Sequence, residues 1–257
     1  MSALAGRRIV VTRARAQAAV LGDQLSALGA TPLYLPTIEI APLEDYAALD
    51  AALRQLEAYA WVLFTSANGV AAVCGRLAAL GVERWPRVAV AAIGPGTAEA
   101  LAAHGLTAAY VPETHLPEAL AAGLGDVRGQ RVLLPAAALA RETLAQALTE
   151  RGAQVEAVAA YRTRPAAPDP AVLAKLRRGV DAITFTSAST VRSFAAQAGP
   201  ELAALTQQAV IACLGPITAD AAREAGLRVD LVAEPYTTAG LVAALAAHFA
   251  RSAEEAA

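Results

Sequence analysis

Apolar runs that stop at hydroxyl-rich turns occur in two similar copies along the chain. The first copy begins at Trp61 and the second at Ala182, and Phe64 and Phe185 stand 121 positions apart in them. The same ungapped spacing relates five further pairs: Ser66/Ser187, Gly94/Gly215, Thr97/Thr218, Gly105/Gly226 and Glu113/Glu234. A match at so long a period indicates an internal duplication that forms two domains rather than a solenoid.

In each copy a predicted strand is followed by a predicted helix. Val70, Val73 and Leu77 fall on one helical face of the first copy. Serine at 66 or 187 stands at the predicted N-cap, and threonine at 97 or 218 is expected to cap the next helix. Hydroxyls and free backbone N–H groups therefore gather at the carboxyl ends of strands, where helix dipoles favour anions and open α/β sheets bind ligands.

The N-terminal segment of the chain also has a second copy, at a slightly different spacing. Gly6 matches Gly129 and Gly29 matches Gly152, and each pair is 123 positions apart. Further strands are predicted at 9–11, 32–35, 88–93, 109–111, 131–134, 155–158, 181–185, 209–214 and 229–232. Helical patterns alternate with them, with glycine at several helix ends. This alternation predicts an α/β fold of two similar domains, each a parallel sheet with helices on both faces.

Two stretches interrupt the alternation at equivalent places in the repeat, residues 36–42 and 159–165. Each is short and polar in its middle, and prolines stand at 36, 42 and 165. They are typical of extended interdomain linkers, so we predict a two-stranded connection.

The composition limits the kind of protein and partner. A length of 257 residues suits two domains, and no apolar run is long enough for a membrane span. The start of the chain lacks the apolar core of a signal peptide, so a soluble cytoplasmic protein is expected. The net charge is −2 and Lys175 is the one lysine, which argues against nucleic acid and leaves arginine to recognise anions.

Common cofactor and metal motifs are incomplete in this sequence. Gly94-Pro95-Gly96 begins like a dinucleotide fingerprint, but Glu99 stands where the third glycine belongs. The three histidines, at 104, 115 and 248, have no metal ligands at the usual spacing and are interpreted as surface or helix-end residues. We therefore expect no metal and no cofactor. Cys74 and Cys213 fall in apolar patterns and are read as small buried hydrophobes.

Several segments in fixed order resemble the uroporphyrinogen-III synthase family. They are Val11-Thr12-Arg13, Pro36-Thr37-Ile38, Leu63 to Val70, Ala92 to Ala98, Tyr161-Arg162-Thr163, Thr184 to Ser189 and Tyr236 to Leu241. Members of this family close the linear tetrapyrrole hydroxymethylbilane into a macrocycle and invert its last ring. The resemblance implies a lyase of tetrapyrrole (heme, siroheme, cobalamin) biosynthesis that removes water without a cofactor.

The family's architecture implies that the chain begins in one domain, crosses to the other and returns. Residues 1–37 and 166–257 would form one domain and residues 40–160 the other, with 36–42 and 159–165 as the linkers and the active site in the cleft between domains. The implied protein is a monomer that binds a small-molecule substrate but no nucleic acid or membrane. Transient contact with neighbouring pathway enzymes is left open.

The resemblance also implies roles for individual residues. Tyr161 is the expected catalytic residue, a phenol that can donate a proton to the departing hydroxyl. The expected substrate-binding residues are Thr12, Arg13, Ser66, Ala67, Asn68, Gly94, Thr97, Ser187, Ser189, Gly215, Thr218, Tyr236 and Thr237. For the hydroxyl residues the alternative is a helix cap alone, for Arg13 an exposed helix-start arginine, and for Tyr161 a packing role. Ala136 departs from the arginine expected there, and Arg141 could compensate.

Two other functions fit the same pattern. A cleft-type module that binds a small anion without catalysis would share the duplicated α/β domains. A scaffold of the heme pathway would bind without turnover. An assay of hydroxymethylbilane turnover distinguishes all three.

Overall fold

A computed structural model describes residues 3–82, 84–137 and 142–255. The chain forms two compact units. Unit 1 consists of Met1–Glu39 and Arg164–Ala257, and unit 2 of Ile40–Thr163.

Strands and helices alternate along most of the chain. The strands are β1 (Arg8–Val11), β2 (Thr31–Tyr34), β3 (Ile38–Ala41), β4 (Trp61–Phe64), β5 (Ala89–Ala92), β6 (Arg131–Ala137), β7 (Gln154–Pro165), β8 (Ala182–Phe185), β9 (Val210–Cys213) and β10 (Leu231–Val232). The helices are α1 (Arg15–Ala27), α2 (Ala47–Leu53), α3 (Ala67–Ala79), α4 (Pro95–Ala103), α5 (Pro117–Gly123), α6 (Glu142–Glu150), α7 (Pro170–Arg177), α8 (Ala188–Ala198), α9 (Leu202–Thr206), α10 (Pro216–Glu224) and α11 (Thr238–Glu255). Short 3-10 turns lie at Leu56–Ala58 and Gly199–Glu201.

Unit 1 is built on a five-stranded parallel sheet of order β10-β9-β8-β1-β2. Successive residues of β1 point to opposite faces, as the period of a strand requires. Val10 therefore packs with Phe185 and Phe194 on one face, whereas Ile9 packs with Leu21 of α1 on the other. Helices cover both faces, which is the burial that a parallel sheet needs.

Unit 2 repeats this design on a sheet of order β3-β7-β6-β4-β5. Phe64 and Val70 pack on one face, and Leu63 packs with Leu120 and Leu148 on the other. The strands from β7 to β5 pair in parallel. The predicted α/β class with helices on both faces of parallel sheets is confirmed.

The strand order in each unit reverses at one point. In unit 1 the chain moves outward from β1 to β2 on one side and from β8 to β9 on the other. In unit 2 it moves from β4 to β5 on one side and from β6 to β7 on the other. The gaps β1/β8 and β4/β6 are therefore topological switch points, and ligands of open α/β sheets bind beyond the carboxyl ends of the strands at such points.

Two sequence expectations about strands need correction. The strand predicted at 109–111 is a single bridge between Tyr110 and Ala91. The stretch 159–165 is not a segment separate from the strand predicted before it, because β7 continues to Pro165 and stays paired with β6 as far as Ala137. The stretch 36–42 contains β3, which neighbours β7 in the sheet.

Candidate functional site

A tyrosine and a serine meet at the switch point of unit 2. Ser66 follows β4 and is the N-cap of α3, where its Oγ accepts the N–H of Gly69 at 3.1 Å. The hydroxyl of Tyr161 lies 2.9 Å from the same Oγ. The predicted cap at Ser66 is confirmed, and the expected catalytic tyrosine is joined directly to it.

The strands on either side bring these two residues together. Tyr161 stands opposite Ala137 just after the register between β6 and β7 shifts at Ala136/Ala137. A Cβ at Gly69 would lie 3.2 Å from the carbonyl oxygen of Pro135, so glycine lets α3 begin close to β6. The side chain from β7 can therefore cross β6 and reach the cap that follows β4.

The surroundings of Tyr161 keep its proton in place. The residue is 7% exposed, and burial raises the pKa of its phenol above 10.0. Hydrogen bonds with Ser66 and Asn68 act in the opposite direction and lower the pKa, but burial is the larger effect. At neutral pH the phenol is protonated, which is the form that a general acid needs.

The equivalent position in unit 1 has a different chemistry. Ser187 caps α8 in a reciprocal box with Thr190, as predicted for a cap, and its Oγ lies 2.9 Å from Ser189 Oγ. The residue that matches Tyr161 in the repeat is Ile38, which is buried but lies in β3 of the unit 2 sheet and therefore is not a counterpart at the switch point of unit 1. Ser187 Oγ thus lies beside the hydroxyl of Ser189, whereas Ser66 Oγ lies beside the phenol of Tyr161.

The predicted caps at Thr97 and Thr218 are wrong. The N-caps are Gly94 and Gly215, and both threonines lie two residues further in than the prolines that open α4 and α10. Their backbone N–H groups turn back to the carbonyls of the two glycines at 3.1 Å. Each helix begins at a glycine in extended conformation that is followed by proline, and no side chain caps it. The sequence pattern did not distinguish this kind of helix start from one that is capped by a hydroxyl.

The two threonines nevertheless remain candidates for binding. They are 7% and 5% exposed and lie in the first turns of α4 and α10. Helical side chains lean toward the N-terminus of their helix, so both hydroxyls lean toward its open first turn. Because proline carries no N–H, the first backbone donors of these turns are Gly96 and Ile217.

An aromatic ring stands beside each glycine cap, and one of the two was missed from the sequence. A Cβ at Gly94 would lie 3.1 Å from His115 Cγ, and one at Gly215 would lie 3.5 Å from Tyr236 Cγ. His115 and Tyr236 are related by the 121-residue spacing. Nδ1 of His115 is also 3.1 Å from the carbonyl oxygen of Pro112. The histidine was interpreted as a surface residue, although the repeat offset would have paired it with a candidate.

The two residues that follow β1, Thr12 and Arg13, differ in whether their side chains are free to bind a substrate. Thr12 is fully buried and its hydroxyl donates to the carbonyl of Thr184 at 2.7 Å, so this side chain holds β1 to β8 and is not free for substrate. Arg13 is partly buried, and within the described residues it has no hydrogen bond or ion pair. Burial lowers the pKa of its guanidinium. A desolvated arginine without a counter-charge is suited to an external anion.

The remaining candidates lie at other turns. Thr237 accepts the N–H of Gly240 at 3.0 Å and therefore begins α11 as a cap. Ala67 opens α3, and its N–H belongs to the first turn, which has no intrahelical acceptor. Ala136 is buried within β6. Arg141, which was expected to compensate for it, lies outside the described residues.

Comparison with known proteins identifies the family. The family model described as uroporphyrinogen-III synthase HemD matches residues 19–243. The chain belongs to the uroporphyrinogen-III synthase family. The predicted resemblance is therefore confirmed.

Individual relatives support the same assignment along the whole chain. A uroporphyrinogen-III synthase of Synechococcus elongatus is 37% identical over 252 residues, which are 94% of this chain and 95% of that protein. One of Chlorobaculum parvum is 26% identical over 248 residues, covering 93% and 98% of the two chains. A crystal structure of a mutant uroporphyrinogen III synthase from Thermus thermophilus covers 97% of this chain and 100% of its own, with a TM-score of 0.66 and 25% identity.

The length and polarity of the helices decide whether any of them could cross a membrane. Within the described part of the chain, every helix is too short or too polar to cross a bilayer.

Proposed function

We propose that this protein cyclises hydroxymethylbilane to uroporphyrinogen III, with inversion of ring D and loss of water, as a lyase of tetrapyrrole biosynthesis. The family assignment supports the overall activity. The observation that carries the chemistry is the Tyr161–Ser66 hydrogen bond of 2.9 Å at the switch point of unit 2. A protonated, buried phenol at a ligand-binding edge can supply the proton that departure of a hydroxyl requires.

The proposed course begins when Tyr161 donates a proton to the terminal hydroxyl, which leaves as water. The electron-poor carbon left behind is attacked by the substituted carbon of the last ring. In the resulting spiro intermediate the original bond from that ring to its neighbouring bridge carbon breaks and re-forms at the free α carbon of the ring, which inverts the ring. Loss of the proton from this α carbon balances the proton that Tyr161 donated. The intermediates carry their own reactivity, so the protein chiefly holds the linear substrate in one folded geometry, which is catalysis by positioning.

Neutral donors at the strand ends are proposed to hold the eight substrate carboxylates. Helix first turns supply N–H groups at Ala67, Gly96 and Ile217, and Thr97 and Thr218 supply hydroxyls in two of the same turns. Helix dipoles add to the attraction. This arrangement accounts for an anionic ligand on a protein whose net charge is −2.

Other candidate groups extend the same site. The further residues proposed to bind the substrate are Arg13, Ser66, Asn68, Gly94, Ser187, Ser189, Gly215, Tyr236 and Thr237, with His115 added from the structure. Ser187 and Thr237 already cap helices. Their hydroxyls retain one further hydrogen-bonding position each, so capping and ligand binding are compatible.

The test is turnover of hydroxymethylbilane by the purified chain. The linear substrate also closes without enzyme, to the uninverted isomer I. We therefore expect isomer III in excess when the protein is present and isomer I when it is absent, as measured by chromatography of the oxidised porphyrins. Isomer I alone, at the rate of the blank, would contradict the proposal.

The same assay separates the alternative function. A cleft-type binding module would bind an oxidised porphyrin and yet leave the isomer ratio at that of the blank. Cytoplasmic location, a monomeric state and contacts with pathway enzymes stay predictions that sedimentation and fractionation can test.

A further inference from the structure

Three arginines surround the switch point of unit 1. Arg13 stands in the turn after β1, and Arg15 is the first residue of α1. Arg192 is the fifth residue of α8, the helix that follows the neighbouring strand β8. A rise of about 1.5 Å per residue keeps this position within a long side chain's reach of the helix start, and helical side chains lean that way.

The two helices approach the switch point from opposite sides of the sheet. Leu21 and Leu25 of α1 pack in one core layer, and Val191 and Phe194 of α8 pack in the other. Arg15 and Arg192 therefore belong to helices on opposite faces of the sheet that begin beyond the carboxyl ends of β1 and β8, and both are exposed, while Arg13 follows β1 itself.

None of these three arginines forms an ion pair or side-chain hydrogen bond within the described residues. Many other arginines are paired: Arg76 binds Asp50, Arg131 binds Glu156 and Arg177 binds Glu201. An isolated exposed arginine needs no explanation. Three at one ligand-binding edge without a carboxylate partner leave positive charge that an anion can use.

The repeat shows that this charge belongs to unit 1. The equivalents of Arg13, Arg15 and Arg192 in unit 2 are Ala136, Ala138 and Ala71. Ala136 is also buried, because β6 runs on where β1 has already ended. Unit 2 in turn holds Tyr161 beside its serine cap Ser66, whereas the serine cap of unit 1, Ser187, has Ser189 beside it.

We propose that Arg13, Arg15 and Arg192 of unit 1 form a set of carboxylate-binding residues that holds charged side chains of the tetrapyrrole. This inference rests on the proposed function and adds Arg15 and Arg192 to its binding residues. Guanidinium groups suit it because their planar fork matches a carboxylate. The duplicated units would then perform unequal tasks.

The first test replaces Arg15 and Arg192 by alanine, singly. Because Arg15 and Arg192 are exposed, each variant should raise KM for hydroxymethylbilane about two- to fivefold, the range that loss of one exposed ion pair gives, with kcat and the isomer ratio nearly unchanged. The dependence of KM on salt should become shallower in both. Arg178→Ala is the matched control, since Arg178 is an exposed arginine of unit 1 that follows the C-terminus of α7, before β8 begins.

Direct binding adds a measurement that does not depend on turnover. Fluorescence titration with an oxidised eight-carboxylate porphyrin and with a four-carboxylate porphyrin gives a ratio of affinities. This ratio should fall in Arg15→Ala and Arg192→Ala and stay at the wild-type value in Arg178→Ala. Adding Ala71→Arg to Arg192→Ala should not restore KM, because it returns the charge to the wrong unit.

The outcomes separate this inference from the proposed function. If the wild type yields no isomer III, the proposed function fails. If the wild type is active but Arg15→Ala and Arg192→Ala match Arg178→Ala in KM, salt dependence and affinity ratio, the arginine cluster is refuted. Full recovery of KM by Ala71→Arg would overturn the assignment of charge recognition to unit 1.

Discussion

A single hydroxyl distinguishes the two switch points at the scale of residues. Tyr161 and Ser66 share a hydrogen bond in unit 2, whereas Ser187 Oγ of unit 1 lies 2.9 Å from Ser189 Oγ. Ser66 Oγ already accepts the N–H of Gly69. Its own proton and a remaining lone pair leave it able either to donate to the phenol or to accept from it. In the first case the phenol's proton is free for the substrate.

Tyr161→Phe tests this role by removing the hydroxyl and keeping the ring. The variant should fold normally and bind an oxidised porphyrin nearly as well, but kcat should fall toward the low end of the roughly 10²- to 10⁴-fold range of general acid catalysis. Slower enzymatic closure leaves more substrate to the uncatalysed reaction, so isomer I should increase. If Tyr161→Phe keeps the full rate of closure and yields only isomer III, the role of Tyr161 is packing and not acid catalysis.

The pH dependence of the wild type follows from the raised pKa of Tyr161. Burial favours the neutral, protonated phenol, so the acid form persists below the ordinary pKa of about 10 and is lost only above it. Deprotonation of Tyr161 should therefore produce no decline of kcat between pH 7 and 9. Tyr161→Phe is the control for any decline that arises elsewhere.

At the scale of elements, α3 and α8 begin in the same way and differ in what their caps touch. Ser66 and Ser187 each accept a backbone N–H of their helix. Ser66→Ala and Ser187→Ala should each cost about 0.5–2 kcal/mol of unfolding free energy, the value of a lost cap. Ser66→Ala should shift products toward isomer I more than Ser187→Ala does, because it alone removes a partner of Tyr161. Equal isomer ratios in the two variants would exclude a role of Ser66 through Tyr161.

The pair Asp50–Arg76 joins α2 to α3 in unit 2. Nε and one Nη of Arg76 each lie 2.6 Å from an Asp50 oxygen, and these bonds are the main cause of a lowered pKa at Asp50. The carboxylate is therefore favoured in the folded state. Its contribution to stability is present above the ordinary pKa of about 4 and is lost as pH falls through the lower, folded value.

Arg76→Gln tests that link, since glutamine is the residue at the equivalent position 197. Thermal unfolding should show the variant clearly less stable at pH 7, and the difference from wild type should shrink below pH 4. Arg54→Gln is the control, because Arg54 Nη2 is 3.9 Å from Asp50 and largely exposed. A difference that stays constant down to pH 2 would mean that the pair acts by packing.

The sequence was sufficient for the elements whose cause is local. Apolar runs and helix-ending glycines predicted parallel strands and helices, and the serine caps at 66 and 187 were confirmed. It was insufficient where the cause is tertiary. The helices predicted to begin at threonine caps 97 and 218 begin instead at Gly-Pro pairs. The buried hydrogen bond of the Thr12 hydroxyl depends on the pairing of β1 with β8. The position of the His115 ring depends on its packing against Gly94.

At the scale of the whole molecule, the two duplicated units share one fold but carry different functional side chains at the ends of their strands. Both units keep the sheet order around a switch point and the Gly-Pro helix start. The phenol of Tyr161 is in unit 2, and the three arginines without an ion pair in the described part of the chain are in unit 1. The divergence is in side chains at strand ends, while the core positions that set the sheets, such as Phe64 and Phe185, stay the same.

If both edges bind one tetrapyrrole, ligand should protect backbone amides in both units. Hydrogen exchange with an oxidised eight-carboxylate porphyrin should slow in peptides that cover residues 65–70 and 94–98 of unit 2 and residues 186–191 and 215–219 of unit 1. The physical reason is that first-turn N–H groups such as those of Gly96 and Ile217 exchange freely until a carboxylate accepts them. A peptide over residues 150–154, at the start of β7 and therefore at the opposite edge, is the internal control. Protection confined to one unit would show that the other edge does not hold the ligand, and the division of tasks between phenol and arginines would then lose its basis.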